Sequence, residues 1–192
     1  MRAGRREAGG TSATGPTIPT VTEPAPAPTG AIHTPRLDLL PLSVTHAEEM
    51  AAVLGDPALH TFIGGAPLTS EELRDRYERL VAGSPHPTVS WHNWVLRHRT
   101  EDRLIGTVQA TVTGHREAEI AWIVGTPWQG HGYAAEASRA LVAWLVRHYV
   151  RTVTAHIHPS HTASQAVARA AGLSPTEEEH EGETVWRLSL NA

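Results

Sequence analysis

The most constraining stretch of this chain is Gln129-Gly130-His131-Gly132-Tyr133-Ala134, which lies between a strand pattern and a long helix pattern. Glycines at a strand-to-helix turn let the backbone approach a bulky anion. The first N–H groups of the helix have no partner within it and point at that anion, and the helix dipole adds partial positive charge. A phosphate or pyrophosphate is the natural occupant, and tight strand–helix packing is the bland alternative. Three phosphate-binding patterns compete. A P-loop needs Lys and then Ser or Thr after its last glycine, where this chain has Tyr133-Ala134. A dinucleotide fingerprint can be laid on Gly130, Gly132 and Ala135, but it also needs an acid at the end of the next strand, which reads His156-Ile157-His158.

The flanking sequence supplies the rest of an α/β pattern. A short apolar strand over Arg36–Leu42 is followed by a helix over Thr45–Leu54, with Thr45 and Glu48 as its capping box. A second helix runs from Thr69 or Ser70 to about Ala82, stopped by Gly83. Trp94 and Leu96 mark a strand, and Trp91 and Trp94 are expected to pack in the sheet and against the second helix, or one of them to line the acceptor pocket. Ile105–Thr113 alternates Val108, Ala110 and Val112 against threonines and Gln109, and Glu119–Val124 is the next strand. The long helix extends from about Gly132 to Tyr149. Its apolar stripe takes in Ala134, Ser138, Leu141, Val142, Leu145 and Tyr149, with Glu136, Arg139 and Arg147 away from it. Val150–Ile157 is a strand, Thr162–Ala171 a short helix ended by Gly172, and Thr184–Leu190 a last strand. Glu177, Glu178, Glu179, Glu181 and Glu183 read as a solvated loop or as an acidic rim attracting a cationic acceptor.

The third phosphate-binding pattern fits. The turn resembles the acyl-CoA signature of the GCN5-related N-acetyltransferases (GNAT): Arg or Gln, two free positions, Gly, one free position, then Gly or Ala. Gln129, Gly132 and Ala134 meet every defined position. Glu119–Val124 with Pro127 looks like the family's fourth strand, and Glu136 is usual in the branch resembling ribosomal-protein N-terminal acetyltransferases. The resemblance covers about residues 34–190. It implies an α/β sandwich with a mixed central sheet splayed between its fourth and fifth strands and flanked by helices. It also implies acetyl-CoA as acyl donor, a primary amine as acceptor and no metal; dimers are common in the family.

By the same resemblance, backbone groups of Ile123 and Val124 hold the pantetheine arm, with an N–H near Ile123 facing the thioester oxygen. Gln129, Gly130, His131, Gly132, Tyr133 and Ala134 cradle the pyrophosphate. The family's downstream Asn-x-x-Ser falls on His161-Thr162-Ala163-Ser164, so Ser164 matches and His161 replaces the asparagine. The positions where many relatives carry a tyrosine acid hold Val167 and Ala168, which leaves Ser164, or a water on it, to protonate the leaving thiolate. An amine acceptor is mostly protonated at neutral pH, so a base is needed. Glu119 is the first candidate and Glu117 the second; a structural hydrogen bond or a substrate contact is the alternative role for Glu119. The segment 59–68, with Gly64-Gly65, would border the acceptor.

Composition narrows the field. The 192 residues suit one domain, and 40% hydrophobic with 19% charged residues is a globular balance. A net charge of −4 argues against nucleic acid, and no apolar run approaches the roughly 20 residues of a membrane span. Cysteine is absent, which removes a thiol nucleophile and fits a reducing cytoplasm. Arg2, Arg5 and Arg6 are followed by no apolar stretch, so no secretory signal is expected. Residues 1–30, rich in Pro, Thr and Ala, are expected to be a disordered tail or a partner-binding arm, and 31–192 the domain. His156, His158 and His161 could be read as a metal trio, but lack an obvious carboxylate. Two functions stand: acetyl transfer in a ternary complex to a small amine or a protein N-terminus, or CoA binding without turnover.

Overall fold

Eight strands form one sheet in the order β1-β2-β3-β4-β5-β6-β8-β7 in a computed structural model that describes residues 29–114 and 116–190. The strands are β1 (Ile32–His33), β2 (Leu37–Pro41), β3 (Val89–His98), β4 (Arg103–Thr113), β5 (Glu117–Val124), β6 (Thr152–Ile157), β7 (Ser174–His180) and β8 (Glu183–Ser189). Every neighbouring pair is antiparallel except β5–β6. That parallel pair needs a crossover, and the long helix α4 (Tyr133–Arg147) provides it. The expected mixed α/β sheet is therefore present. The splayed pair is β5 and β6 rather than fourth and fifth, because the two-residue strand β1 precedes the first strand read from the sequence.

Strand alternation gives the sheet two apolar faces. On one, Trp94, Leu96, Val108, Ala110, Ala118 and Ile120 pack under α4, which inserts Ala137, Leu141, Trp144 and Leu145 at helical spacing. On the other, α1 (Ala47–Val53) and α3 (Ser70–Ala82) bring Met50, Leu73 and Tyr77 onto Val95 and Leu104. A short helix, α2 (His60–Ile63), sits between them, and α5 (Thr162–Ala170) follows β6.

Several local expectations change. The first capping box is Ser43 with His46 on a 3₁₀ turn over Val44–His46, because Ser43 takes the extended cap conformation while Thr45 lies inside that turn and Glu48 in α1. Trp94 faces α4 instead of α3 and meets Trp144 edge-on at 5.2 Å, since its even-numbered face is the α4 face. Tyr149 leaves the helix stripe: α4 stops at Arg147, and Tyr149 has φ 63° and is 70% exposed. Glu177–Glu179 belong to the edge strand β7, where Glu178 holds Arg187 of β8 through two hydrogen bonds of 2.8 and 2.6 Å. The tail expected over residues 1–30 lies outside the described residues as far as residue 28. Thr29 and Gly30 lie on β3, where Thr29 bonds His92 and the Gly30 carbonyl accepts from Trp94 Nε1. Among the described residues no helix is long and apolar enough to cross a membrane.

Candidate active site

β5 and β6 pair over only three rungs, Glu117–Glu119 with Thr152–Thr154, and then part. Beyond Glu119 the two strands diverge around a cleft of about 940 Å³, which reaches from β5 across to α5 and down to the start of α4. Gly106 explains part of this shape. A side chain there would collide with the Ile123 carbonyl, so glycine keeps β4 tight on β5 while the other edge of β5 stands free.

Backbone alternation decides which groups of β5 face the cleft. The Gly125 N–H donates to the Ile105 carbonyl of β4 at 2.8 Å, whereas the Arg116 carbonyl accepts from the Arg151 N–H beside β6 at 2.8 Å. With an unbroken β4–β5 register, odd-numbered residues bond to β4 and even-numbered ones face β6. The expected donor at Ile123 is therefore corrected: its N–H and carbonyl are turned to β4. The cleft is faced by the backbone groups of Ile120, Trp122 and Val124. The Val124 carbonyl accepts from Gln129 Nε2 at 3.0 Å, so the Gln129 side chain stitches the turn to the end of β5.

At the foot of the cleft Gly130 and Gly132 have φ of 77° and 79°, the left-handed region open to glycine at little cost. The first backbone bond into α4 is from Glu136 N–H to Gly132, and among the described residues no backbone acceptor takes the N–H groups from Gly130 to Ala135. This is an anion nest feeding a 15-residue helix, and it lines the cleft.

The nest is braced from the N-terminal hairpin, a feature the sequence reading missed. Glu136 is 9% exposed instead of lying on the solvent side of α4. Its carboxylate accepts from the Thr34 hydroxyl at 2.7 Å, the Arg36 N–H at 2.9 Å and Arg36 Nε at 2.6 Å. Burial alone would raise this carboxyl. The Thr34 and Arg36 hydrogen bonds and the guanidinium charge outweigh it and hold the group below the usual range. Arg36 also donates to the His131 carbonyl at 2.9 Å and lies 4.6 Å over the Tyr133 ring. The Tyr133 hydroxyl is 3.0 Å from His98 Nε2, whose other nitrogen accepts from the Glu101 N–H. His131 turns Nδ1 back onto the Gln129 carbonyl at 2.8 Å. The His131 and Tyr133 side chains thus shape the turn, and its backbone N–H groups line the cleft. A buried carboxylate in the first helical turn needs a cation, and that was the available signal for Arg36.

Glu119 lies on the cleft wall at the last paired rung, exposed. Glu117, two residues earlier, is not on that wall. Across the cleft, Ser164 sits in the first turn of α5 and its N–H donates to His161 Nδ1 at 3.4 Å. His161 thus caps α5, the kind of bond an asparagine makes at such a position. Burial, then the charge of His158, lowers the His161 pKa, which favours the neutral ring this acceptor role requires. Phe62 of α2 stacks on His161 at 4.2 Å and leans on His158 at 5.7 Å, so α2 bridges to α5. His156 instead faces the His180 ring at 5.2 Å. Among the described residues no group of three or more His, Cys, Asp or Glu is arranged to hold a metal ion.

Comparison with known proteins agrees with this geometry. Three solved structures align with TM-scores of 0.70. A GNAT-family acetyltransferase from Bacillus anthracis is 18% identical and covers 83% of this chain and 98% of its own. RimL, a ribosomal-protein α-N-acetyltransferase in complex with coenzyme A, is 16% identical over the same shares. A microcin self-immunity acetyltransferase in complex with acetyl-CoA and AMP is 14% identical, covering 86% and 99%. At such identities the likeness is one of fold. No curated protein matches the sequence. The family model described as an acetyltransferase (GNAT) domain matches residues 36–174, from Arg36 of the brace to the start of β7, and the chain therefore belongs to the GNAT family of acyltransferases.

Proposed function

We propose that this acyltransferase moves the acetyl group of acetyl-CoA to a primary amine by direct attack within a ternary complex. The observation that carries the reading is the continuity of the cleft, from the free edge of β5 at Trp122 and Val124 to the nest at Gly130–Ala135. A thioester on a pantetheine arm with a pyrophosphate at its far end matches that sequence of donors. The Trp122 and Val124 backbone groups pair with the amides of the arm as a partner strand would. The Trp122 N–H is the donor set to face the thioester oxygen, where charge develops as the carbonyl carbon becomes tetrahedral. Glu119, directly or through a water, takes a proton from the attacking amine. Ser164, or a water on it, returns one to the departing thiolate. No cysteine is present to form an acyl-enzyme, so the amine itself attacks the carbonyl.

The test is release of free thiol from acetyl-CoA across small amines and N-terminal peptides, beside calorimetric titration with CoA. Thiol release that depends on the amine supports transfer. Tight CoA binding with no thiol release on any amine would identify a CoA-binding module instead.

A further inference from the structure

A second chamber lies behind the cleft, on the α1 and α3 side of the sheet, with a volume of about 300 Å³. It and the cleft meet at Arg76, Thr107, Gln109 and Ile123, which border both. Sites for small ligands start at about this size. Leu42, Leu54, Leu68, Leu73 and Leu80 make most of its wall, His60, Asn93, Thr107 and Gln109 complete it without a carboxylate, and Tyr77 borders it with a hydroxyl that has no hydrogen-bond partner among the described residues. Tyr77 is 3% exposed, and burial pushes its pKa up to about 12, so it remains neutral. Among the residues lining the chamber Arg76 is the only Asp, Glu, Lys or Arg, and it makes no ion pair among the described residues.

These features constrain what can extend inward from an amine lying beside Glu119. A second ammonium group would enter leucine walls with no carboxylate to receive it, which excludes polyamines and lysine-like tails. A branched or linear hydrocarbon loses only contact with water. At the junction, a planar guanidinium matches a carboxylate or a carbonyl on the carbon next to the amine. Resting on the acyl-transfer reading above, we propose that the acceptor is an α-amine whose carbon bears a medium-sized apolar side chain, which fills the leucine-walled chamber, and a carboxylate or carbonyl, which meets Arg76. A free amino acid and a peptide N-terminus share this chemistry.

The test measures thiol release from acetyl-CoA with leucine, leucinamide, leucyl-glycyl-glycine, glycine, isopentylamine and spermidine. Leucine-type acceptors are expected to exceed glycine, isopentylamine and spermidine in kcat/KM by about tenfold or more, a usual yield for one filled apolar pocket. The order among leucine, its amide and the peptide identifies the source. Replacing the exposed Ala66 on the chamber wall, Ala66→Phe, should remove most of the leucine preference while the KM for acetyl-CoA holds. Arg76→Gln should penalise leucine but not isopentylamine. Equal rates across the panel, a preference for spermidine, or an unchanged preference in both variants would overturn the assignment. If no amine is turned over, calorimetric titration of the acetyl-CoA complex decides separately. Leucine or leucinamide binding that Ala66→Phe abolishes keeps the chamber assignment while transfer fails, and no binding sinks the assignment itself.

Discussion

Glu119 occupies the rung at which β5 and β6 separate, so its carboxylate stands where an acceptor can reach the free edge of β5. An α-amine with a pKa of about 8 arrives mostly protonated at neutral pH, and only its free form attacks. Glu119→Gln keeps the shape and removes the proposed base. It should lower kcat by about 10²–10⁴ at neutral pH and displace the acidic limb of the rate profile, with CoA affinity unchanged by calorimetry. An unaltered profile would reassign Glu119 to substrate contact. Single residues are also where sequence reading was weakest. The pattern of side chains says which face of β5 is apolar, but not which carbonyls are already taken. That required the register with β4, which turns the Ile123 backbone groups away from the cleft and led us to propose the Trp122 N–H as the thioester donor. Glu136 was misread for a different reason: a helical wheel places a carboxylate on the wet side unless its cation is known. Here the cation, Arg36, lies 100 residues upstream.

The backbone shape of the turn between β5 and α4 was legible because glycine leaves such a shape written in the sequence. Its two left-handed residues make a clean test. A Cβ on Gly130 meets nothing within 4 Å, so Gly130→Ala adds no clash and asks only for a left-handed alanine. That costs roughly 1–2 kcal/mol. If the cost falls on the binding-competent shape, the dissociation constant for CoA rises about 5–30-fold, measured by calorimetry. An unchanged constant would mean that the turn does not meet the pyrophosphate. By contrast β7 was not legible. It is exposed along nearly its whole length and shows no alternation of apolar and polar residues, so its glutamates look like a loop. Pairing with β8 makes it a strand, and pairing is invisible without the partner.

Across the whole molecule, Thr34, Arg36 and Glu136 tie the N-terminal hairpin to α4 and make folding sensitive to acid. The folded Glu136 carboxyl is held below its ordinary value, so its contribution is complete above the unfolded value of about 4.3 and fades as pH falls through the folded one. Urea unfolding midpoints from pH 7 to 3 should drop on this limb, and Glu136→Gln should start lower at pH 7 with a shallower acid decline. A parallel decline in both proteins would remove Glu136 from the account. The short β5–β6 pairing also governs how open the sheet is to strand addition. An unpaired strand edge at the rim of a sheet invites other chains to add to it. Here the edge is interior, set between two strands of the same sheet and walled by α4, α5 and the Phe62 bridge. A ligand entering this slot has no interstrand hydrogen bonds to break, while a neighbouring copy has no straight approach to it. The fold keeps a vacancy for a strand and restricts who can fill it.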